Sequence, residues 1–347
     1  MNTTDNDATL YAECGKALSN KYEVDGTLGK GAFGQVFKVK CKDNGKPYAI
    51  KMLPINKIQG AKYEQREVEA LTKFQNRSEE SKRNVIEHFK AWILYVCDVE
   101  TLAIQMELCW VNLHTFVIKN KIDGPKIIQA EGPPRFYQQV FRQILDGLVF
   151  IHSMYWVHRD IHPGNILIVN PNPQRINDIH VKIADFGLAR YVGTTFDLSS
   201  DGTINLKSEE LTPFACDSLH TAPELNTKTY DFKVDVYSAG MVLYFISCFP
   251  VLESSELKEE IKAIRRGERD INKCIYHKDD KKLSSLMKQM LEKNPNERPS
   301  ASDAKKYMFP EATDSTDGKK AQNIKFFARK KNEDLRTCSI ASSRSRH

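Results

Sequence analysis

Two short stretches of the 347-residue chain carry residue types that could do chemistry. In "VHRDIHPGNILI" an acid, Asp160, and an amide, Asn165, stand five residues apart with His162 between them, and the run then turns apolar, as an anchor into a core would. In "LGKGAFGQV" the glycines Gly29, Gly31 and Gly34 have G-x-G-x-x-G spacing. Glycines in this pattern let backbone amides come close to phosphate oxygens, but in a dinucleotide-binding turn they must open a helix. Here they lead into "QVFKVK", which alternates as a strand does, so the loop joins strand to strand and reads as a flap over phosphates. Lys51, in the strand-like "YAIK" that follows, could bring a point charge to the same phosphates. A lone CxxxH, Cys216 and His220, lacks the second pair that a four-ligand structural zinc needs.

The glycine loop, the strand lysine, "HRDIHPGN", "DFG" and "APE" follow one another in an order that resembles a eukaryotic protein kinase catalytic domain over about residues 20–309. The resemblance implies ATP and Mg²⁺ as cofactors and a bilobal α+β fold. A small β-rich N-lobe with one regulatory helix would precede a larger, mainly α C-lobe. It also implies roles. Lys51 would hold the α- and β-phosphates, locked by Glu67 of "REVEAL"; Asp160 would accept the proton of the substrate hydroxyl; Asn165 and Asp185 would hold magnesium, a hard ion suited to oxygen ligands. The flap would comprise Leu28, Gly29, Lys30, Gly31, Ala32, Phe33, Gly34, Gln35 and Val36. Leu28, Val36, Ala49 and Leu167 would sandwich the adenine beside the gatekeeper Met106, with backbone groups of Glu107 and Cys109 on its edge. Glu224 and Arg298 resemble a structural ion pair, and Asp235 the acid that braces the catalytic loop.

Within the family, "IQMELCWVNLHTFV", "EHFKAW" and "FPVLESSELKEEIKAIRRGE" are similar to the kinases of the alpha subunit of translation initiation factor two. That subunit is the implied protein substrate and a homodimer the implied assembly. The pattern departs from the family at two places. His162 replaces the usual lysine near the γ-phosphate, and Asp217 replaces the threonine that the lysine touches, so the two are expected to pair as imidazolium and carboxylate. Arg159 and Lys182 are expected to form a basic pocket for a phosphate on Thr212 of the activation segment. A nucleotide-binding scaffold with little phosphoryl transfer is the alternative to an active kinase.

These groups need elements to hold them. "YEVDGTLG", "QVFKVKCK" and "PYAIKML" read as strands, with Asn44-Gly45 as a hairpin turn, and "NVIEHFKAWIL" and "TLAIQMEL" as two more. Residues 62–74 have helical spacing, with Val68, Leu71 and Phe74 on one face. Phe136, Val140, Ile144, Leu148 and Ile151 mark an amphipathic helix running into the Asp160 stretch. "KVDVYSAGMVLYFISC" is apolar all round, as a central core helix is, and "KLSSLMKQMLEKNPNERPS" reads as an amphipathic one.

The length exceeds the ~250–300 residues at which a single core stops growing, which also predicts two lobes. The expected organisation is a flexible extension over 1–20, a catalytic domain over 21–309 (N-lobe 21–108, C-lobe 109–309) and a flexible tail over 310–347. The net charge of +6 is modest and gathers in "KKAQNIKFFARKKNE", which reads as a solvated tail, so nucleic acid is not an expected partner. Eight scattered cysteines read as free thiols of a reducing compartment. No signal peptide is visible, and the longest uncharged run falls short of the ~20 apolar residues of a membrane span. The expected location is the cytoplasm, extending to the nucleus.

Overall fold

The computed structural model describes residues 13–30, 34–55, 62–118, 124–198, 204–208, 219–227, 230–248, 254–266, 268 and 280–310. A five-stranded antiparallel sheet, in the order β1-β2-β3-β5-β4, builds the N-terminal lobe. Its strands are β1 (Tyr22–Lys30), β2 (Gln35–Cys41), β3 (Pro47–Pro54), β4 (His88–Val96) and β5 (Val99–Met106). The expected turn joins β2 to β3: Gly45 has φ 68, a left-handed conformation that glycine adopts without a Cβ penalty, and its N–H donates to Cys41 O at 2.9 Å. One helix, α2 (Lys62–Gln75), lies against the inner face of the sheet, burying Ala70, Leu71 and Phe74.

Residues 13–18 form a further helix, α1. These residues fall within the extension expected over 1–20, and Cys14 and Leu18 among them are buried. They close a second apolar cluster on the outer face of the sheet with Tyr22, Phe37, Val39, Ile50, Met52 and Ala103. Two apolar side chains among polar neighbours left no periodic signal. Their burial removes apolar surface from water on both sides at once.

The C-terminal lobe is mainly helical, with α3 (Leu113–Ile118), α4 (Gly124–Glu131), α5 (Pro133–Ser153), α6 (Lys233–Cys248), α7 (Ser254–Arg266), α8 (Lys281–Met290) and α9 (Ala301–Met308). In α5, Pro133 and Pro134 occupy the first turn, where an N–H would lack a partner anyway. The predicted stripe Phe136, Val140, Ile144, Leu148 and Ile151 is fully buried, and α6 is buried nearly all round, as its apolar composition requires. Short strands, one ahead of α3 and the rest between α5 and α6, frame the catalytic segments. β6 (Val111–Asn112), β8 (Ile166–Ile168) and β9 (Val181–Ile183) make one small sheet, and β7 (Trp156–Val157) pairs with β10 (Arg190–Tyr191). A hairpin of β11 (Thr194–Leu198) and β12 (Ile204–Ser208) follows. The result is the expected bilobal α+β architecture, β-rich first and mainly helical after.

Candidate active site

Lys51 sits in the middle of β3, where every residue from Tyr48 to Leu53 is buried. Its ammonium lies 2.8 Å from Glu67 Oε2 on α2 and 2.8 Å from Asp185 Oδ1 beyond β9. Burial alone would lower this lysine's pKa, but the carboxylates of Glu67 and Asp185 outweigh it and hold the ammonium charged. Burial would likewise raise Asp185, yet the Lys51 cation keeps its carboxyl below the ordinary range. Lys51 thus draws sheet, helix and the "DFG" segment into one cluster, across 134 residues of sequence to Asp185.

Asp160 and Asn165 are brought together on one loop. The Asn165 amide donates to Asp160 Oδ2 and to the Asp160 carbonyl, each at 3.0 Å. Committing its NH₂ this way leaves Oδ1 as the atom with which Asn165 could hold a metal. The loop is tied to its surroundings at both ends. Ala184 N donates to Asn165 O at 2.9 Å, beside Asp185. On the other side, Asp235 at the start of α6 accepts the backbone N–H groups of His158 and Arg159, both at 2.8 Å, and contacts His152 Nε2 at 3.0 Å. Burial opposes the Asp235 charge, but the bonds from His152 and His158 hold its carboxyl below the usual value. A column of rings, Phe74 on α2, Phe186 of "DFG" and His158, runs from the regulatory helix down to this loop through edge contacts at 5.3 and 4.8 Å.

The residues expected to form an adenine slot fall on strands of both lobes. Leu28, Gly29 and Lys30 end β1, Gln35 and Val36 open β2, and Val36 pairs with Lys51 in register. Ala49 pairs directly with Met106, at the end of β5. Leu28 is 47% exposed, an apolar side chain on the roof with little of its own to pack on. Leu167 lies on β8 below. The Glu107 N–H donates to Glu87 O, so the group it can offer an adenine edge is its carbonyl. Burial pushes the Cys109 thiol up to about 12, which makes it a packing group and no nucleophile. Gly31, Ala32 and Phe33 lie outside the described residues. Gly34 is required as glycine: a Cβ there would lie 2.2 Å from Met52 O.

His162 has neighbours that its sequence context did not show. Its Nδ1 accepts the Gly164 N–H at 3.1 Å, which puts the ring proton on Nε2, 3.6 Å from Asp160 Oδ2. The ring centroid of His220 is 6.3 Å away. The expected partner Asp217, like Thr212, lies outside the described residues. The expected Arg159–Lys182 pocket needs correction. Lys182 Nζ is bound to Glu107 Oε1 at 2.5 Å, toward the segment joining the lobes. Arg159 donates to Leu188 O at 2.5 Å and Tyr230 Oη at 2.8 Å. The expectation rested on each cation standing beside a catalytic motif, Arg159 before Asp160 and Lys182 before "DFG", but β-strand alternation turns Lys182 to the other side. Glu224 and Arg298 do form the expected buried pair, with Nη2 3.0 Å from Oε2.

The protein kinase domain model matches residues 22–309. The chain belongs to the protein kinase family. Among curated relatives, the interferon-induced, double-stranded RNA-activated protein kinase of Mus musculus is 29% identical, over 82% of this chain and 52% of that protein. Calcium-dependent protein kinase 4 of Plasmodium berghei is 28% identical over 83% of this chain and 49% of its own length. The serine/threonine-protein kinase cds1 of Schizosaccharomyces pombe is 30% identical over 83% and 58%. The chain therefore spans about half the length of the curated relatives it matches, and kinases of several branches resemble it equally. Among the described residues no helix of this kinase domain is long and apolar enough to cross a membrane.

The donor set fits the cofactors that the family implies. Asn165 Oδ1 and an ionised Asp185 are two hard oxygen donors, and Mg²⁺ is ordinarily held by one or two carboxylates together with waters and phosphate oxygens. His152 and Tyr230 escaped the sequence reading because each acts through a contact distant in sequence; His152 reaches Asp235 across 83 residues, and Tyr230 meets Arg159 across 71.

Proposed function

We propose that the chain is an ATP-dependent serine/threonine protein kinase that transfers the γ-phosphoryl group to a hydroxyl of a protein substrate. The carrying observation is the Lys51 ammonium, 2.8 Å from both Glu67 and Asp185, with Asp160 and Asn165 bonded to each other on the adjoining loop. Bound Mg²⁺ and ATP would supply the phosphoryl group and neutralise charge developing on it. The residues do the positioning. Lys51 directs the α- and β-phosphates, Asn165 Oδ1 and Asp185 hold the metal, and Asp160 orients the substrate hydroxyl and takes its proton. His162 stands where the family has lysine. With Nδ1 accepting from Gly164, it presents Nε2–H as a hydrogen-bond donor beside Asp160. The intact Lys51–Glu67–Asp185 cluster favours this reading over a scaffold that binds nucleotide without transfer.

The finer reading is that the substrate is the alpha subunit of translation initiation factor two. The resemblance of "IQMELCWVNLHTFV" and the match to the mouse double-stranded RNA-activated kinase support it. The edge strand β4 exposes Phe89, Ile93 and Tyr95, which suits a homodimer through the N-lobes. In this reading the protein works in the cytoplasm and reaches the nucleus. The test is phosphate transfer from radiolabelled ATP to the alpha subunit and to a generic basic protein, by wild type and Asp160→Asn, with mapping of the modified sites. Transfer to one alpha-subunit site, lost in Asp160→Asn, is expected. Equal labelling by both proteins overturns the enzyme reading. Labelling of the basic protein alone overturns the substrate.

A further inference from the structure

Away from the Lys51–Asp160 cleft, a cavity of about 580 Å³ opens between the loop that joins α2 to β4 and the side of α5. That volume lies within the ~300–1,000 Å³ usual for ligand sites. Arg83 from the loop, Arg142 from α5 and Lys305 from α9 line it. Lys305 is 2.6 Å from Asp146 Oδ1 and so has its counter-ion. Among the described residues neither Arg83 nor Arg142 has a carboxylate at ion-pair distance. The Arg142 guanidinium lies 4.6 Å from the centre of the Phe309 ring, a cation–π contact that leaves its hydrogen-bonding capacity unused.

The same cavity contains an orphan acceptor. His180 is bonded to the backbone of Arg83, while its Nε2 is buried with no hydrogen-bond partner. Burial first, then the nearby cations Lys182 and Arg83, lower its pKa, so the ring is neutral and Nε2 carries a lone pair in want of a donor. Two unpaired guanidinium groups beside an unsatisfied acceptor ask for a ligand with both anionic oxygens and an N–H. A peptide with acidic side chains has both.

We propose that this cavity docks an acidic peptide segment of a partner protein, its carboxylate or phosphoryl oxygens on Arg83 and Arg142 and a backbone N–H on His180 Nε2. The site is joined to the catalytic cluster through Asn84. The Asn84 side-chain NH₂ donates to Val181 O at 2.8 Å, and the Asn84 backbone carbonyl accepts the Ile183 N–H at 2.9 Å. Both partners lie on β9, the strand that leads into Asp185. A segment seated against the α2–β4 loop therefore presses on a loop that is bonded to the strand before the metal-binding acid.

Fluorescence anisotropy of a labelled short Asp/Glu-rich peptide, titrated with the full chain, tests the proposal. Its phosphoserine form, its Asn/Gln form and a single-stranded RNA of matched charge are run beside it. Binding of either anionic peptide at least about tenfold tighter than the Asn/Gln form is expected, as charge-assisted bonds give. The tighter of the two names the preferred anion. Arg83→Glu with Arg142→Glu should reverse that preference while leaving the melting temperature and transfer to a short unstructured substrate unchanged. Equal binding of the Asn/Gln peptide, or undiminished binding by the double variant, overturns the site. Preferential binding of the RNA overturns the peptide class. Because "EATDSTD" follows Pro310 and carries three acids, a chain ending at Pro310 is assayed too. Peptide binding that appears only in this shorter chain assigns the site to the chain's own acidic segment and overturns docking in trans.

Discussion

Asp235 is the residue whose removal should separate the catalytic loop from its foundation. It is fully buried, and its two oxygens accept the N–H groups of His158 and Arg159 at 2.8 Å each, with His152 at 3.0 Å. Asp235→Ala strands two buried donors at about 1–3 kcal/mol apiece, so a loss of about 2–6 kcal/mol is expected. That is a large share of the ~5–15 kcal/mol that typically separates folded from unfolded protein. Asp235→Asn retains one acceptor oxygen but turns an NH₂ toward the second N–H, and should lose about half as much. Arg159 has φ 67, a conformation that a non-glycine residue keeps only where its surroundings impose it, so the loop should relax and shift Asp160. A displacement of ~1 Å at a reacting group costs about 10²-fold in rate. The depressed pKa of Asp235 sets the pH window. Its stabilisation is present above its unfolded value near ~3.9 and is lost as pH falls through the lower folded value. Urea unfolding followed by tryptophan fluorescence at neutral pH and at several acidic values, with kcat measured in parallel, checks both claims. Wild-type urea midpoints and wild-type kcat in Asp235→Asn would refute the reasoning.

Other outcomes follow from the same geometry. Lys51→Ala should reduce phosphoryl transfer by orders of magnitude, since positioning and electrostatics supply most of this catalysis, while nucleotide binding measured by calorimetry weakens less; near wild-type transfer would remove Lys51 from the site. Gly34→Ala would put a Cβ 2.2 Å from Met52 O, so a loss of about 1–3 kcal/mol and a higher KM for ATP are expected from melting and kinetics. His220 is held at a pKa of about 3 by burial and by His162 nearby, below the ordinary 6.5. The unfolded chain therefore binds the extra proton, and stability should fall as pH drops below ~6.5; His220→Tyr should flatten that limb, and parallel curves of melting temperature against pH would contradict it.

The sequence by itself determined the parts whose information is local. The roles of Asp160 and Asn165 came from the resemblance that their motif carries, whereas the strand after the glycine loop and the stripe of α5 depend on backbone periodicity within one segment, so they could be read in one pass. The same holds for the lobes, because the change from two-residue to 3.6-residue periodicity is written along the chain. What the tertiary structure decided is which distant groups meet. Lys51 reaches Asp185 across 134 residues, and Asp235 supports His158 from 77 residues away. Packing alone ordered α1, because Cys14 and Leu18 gain burial only once the sheet offers its outer face. Lys182 and Arg159 were parted for a related reason: strand geometry and the Glu107 carboxylate turned one toward the junction of the lobes, while Leu188 and Tyr230 claimed the other. His162 met Asp160 and His220 through a turn fixed by the Gly164 N–H. Local propensities specify elements; the partner of a buried charge depends on the enclosure that all the elements make together, and that is a property of the folded chain alone.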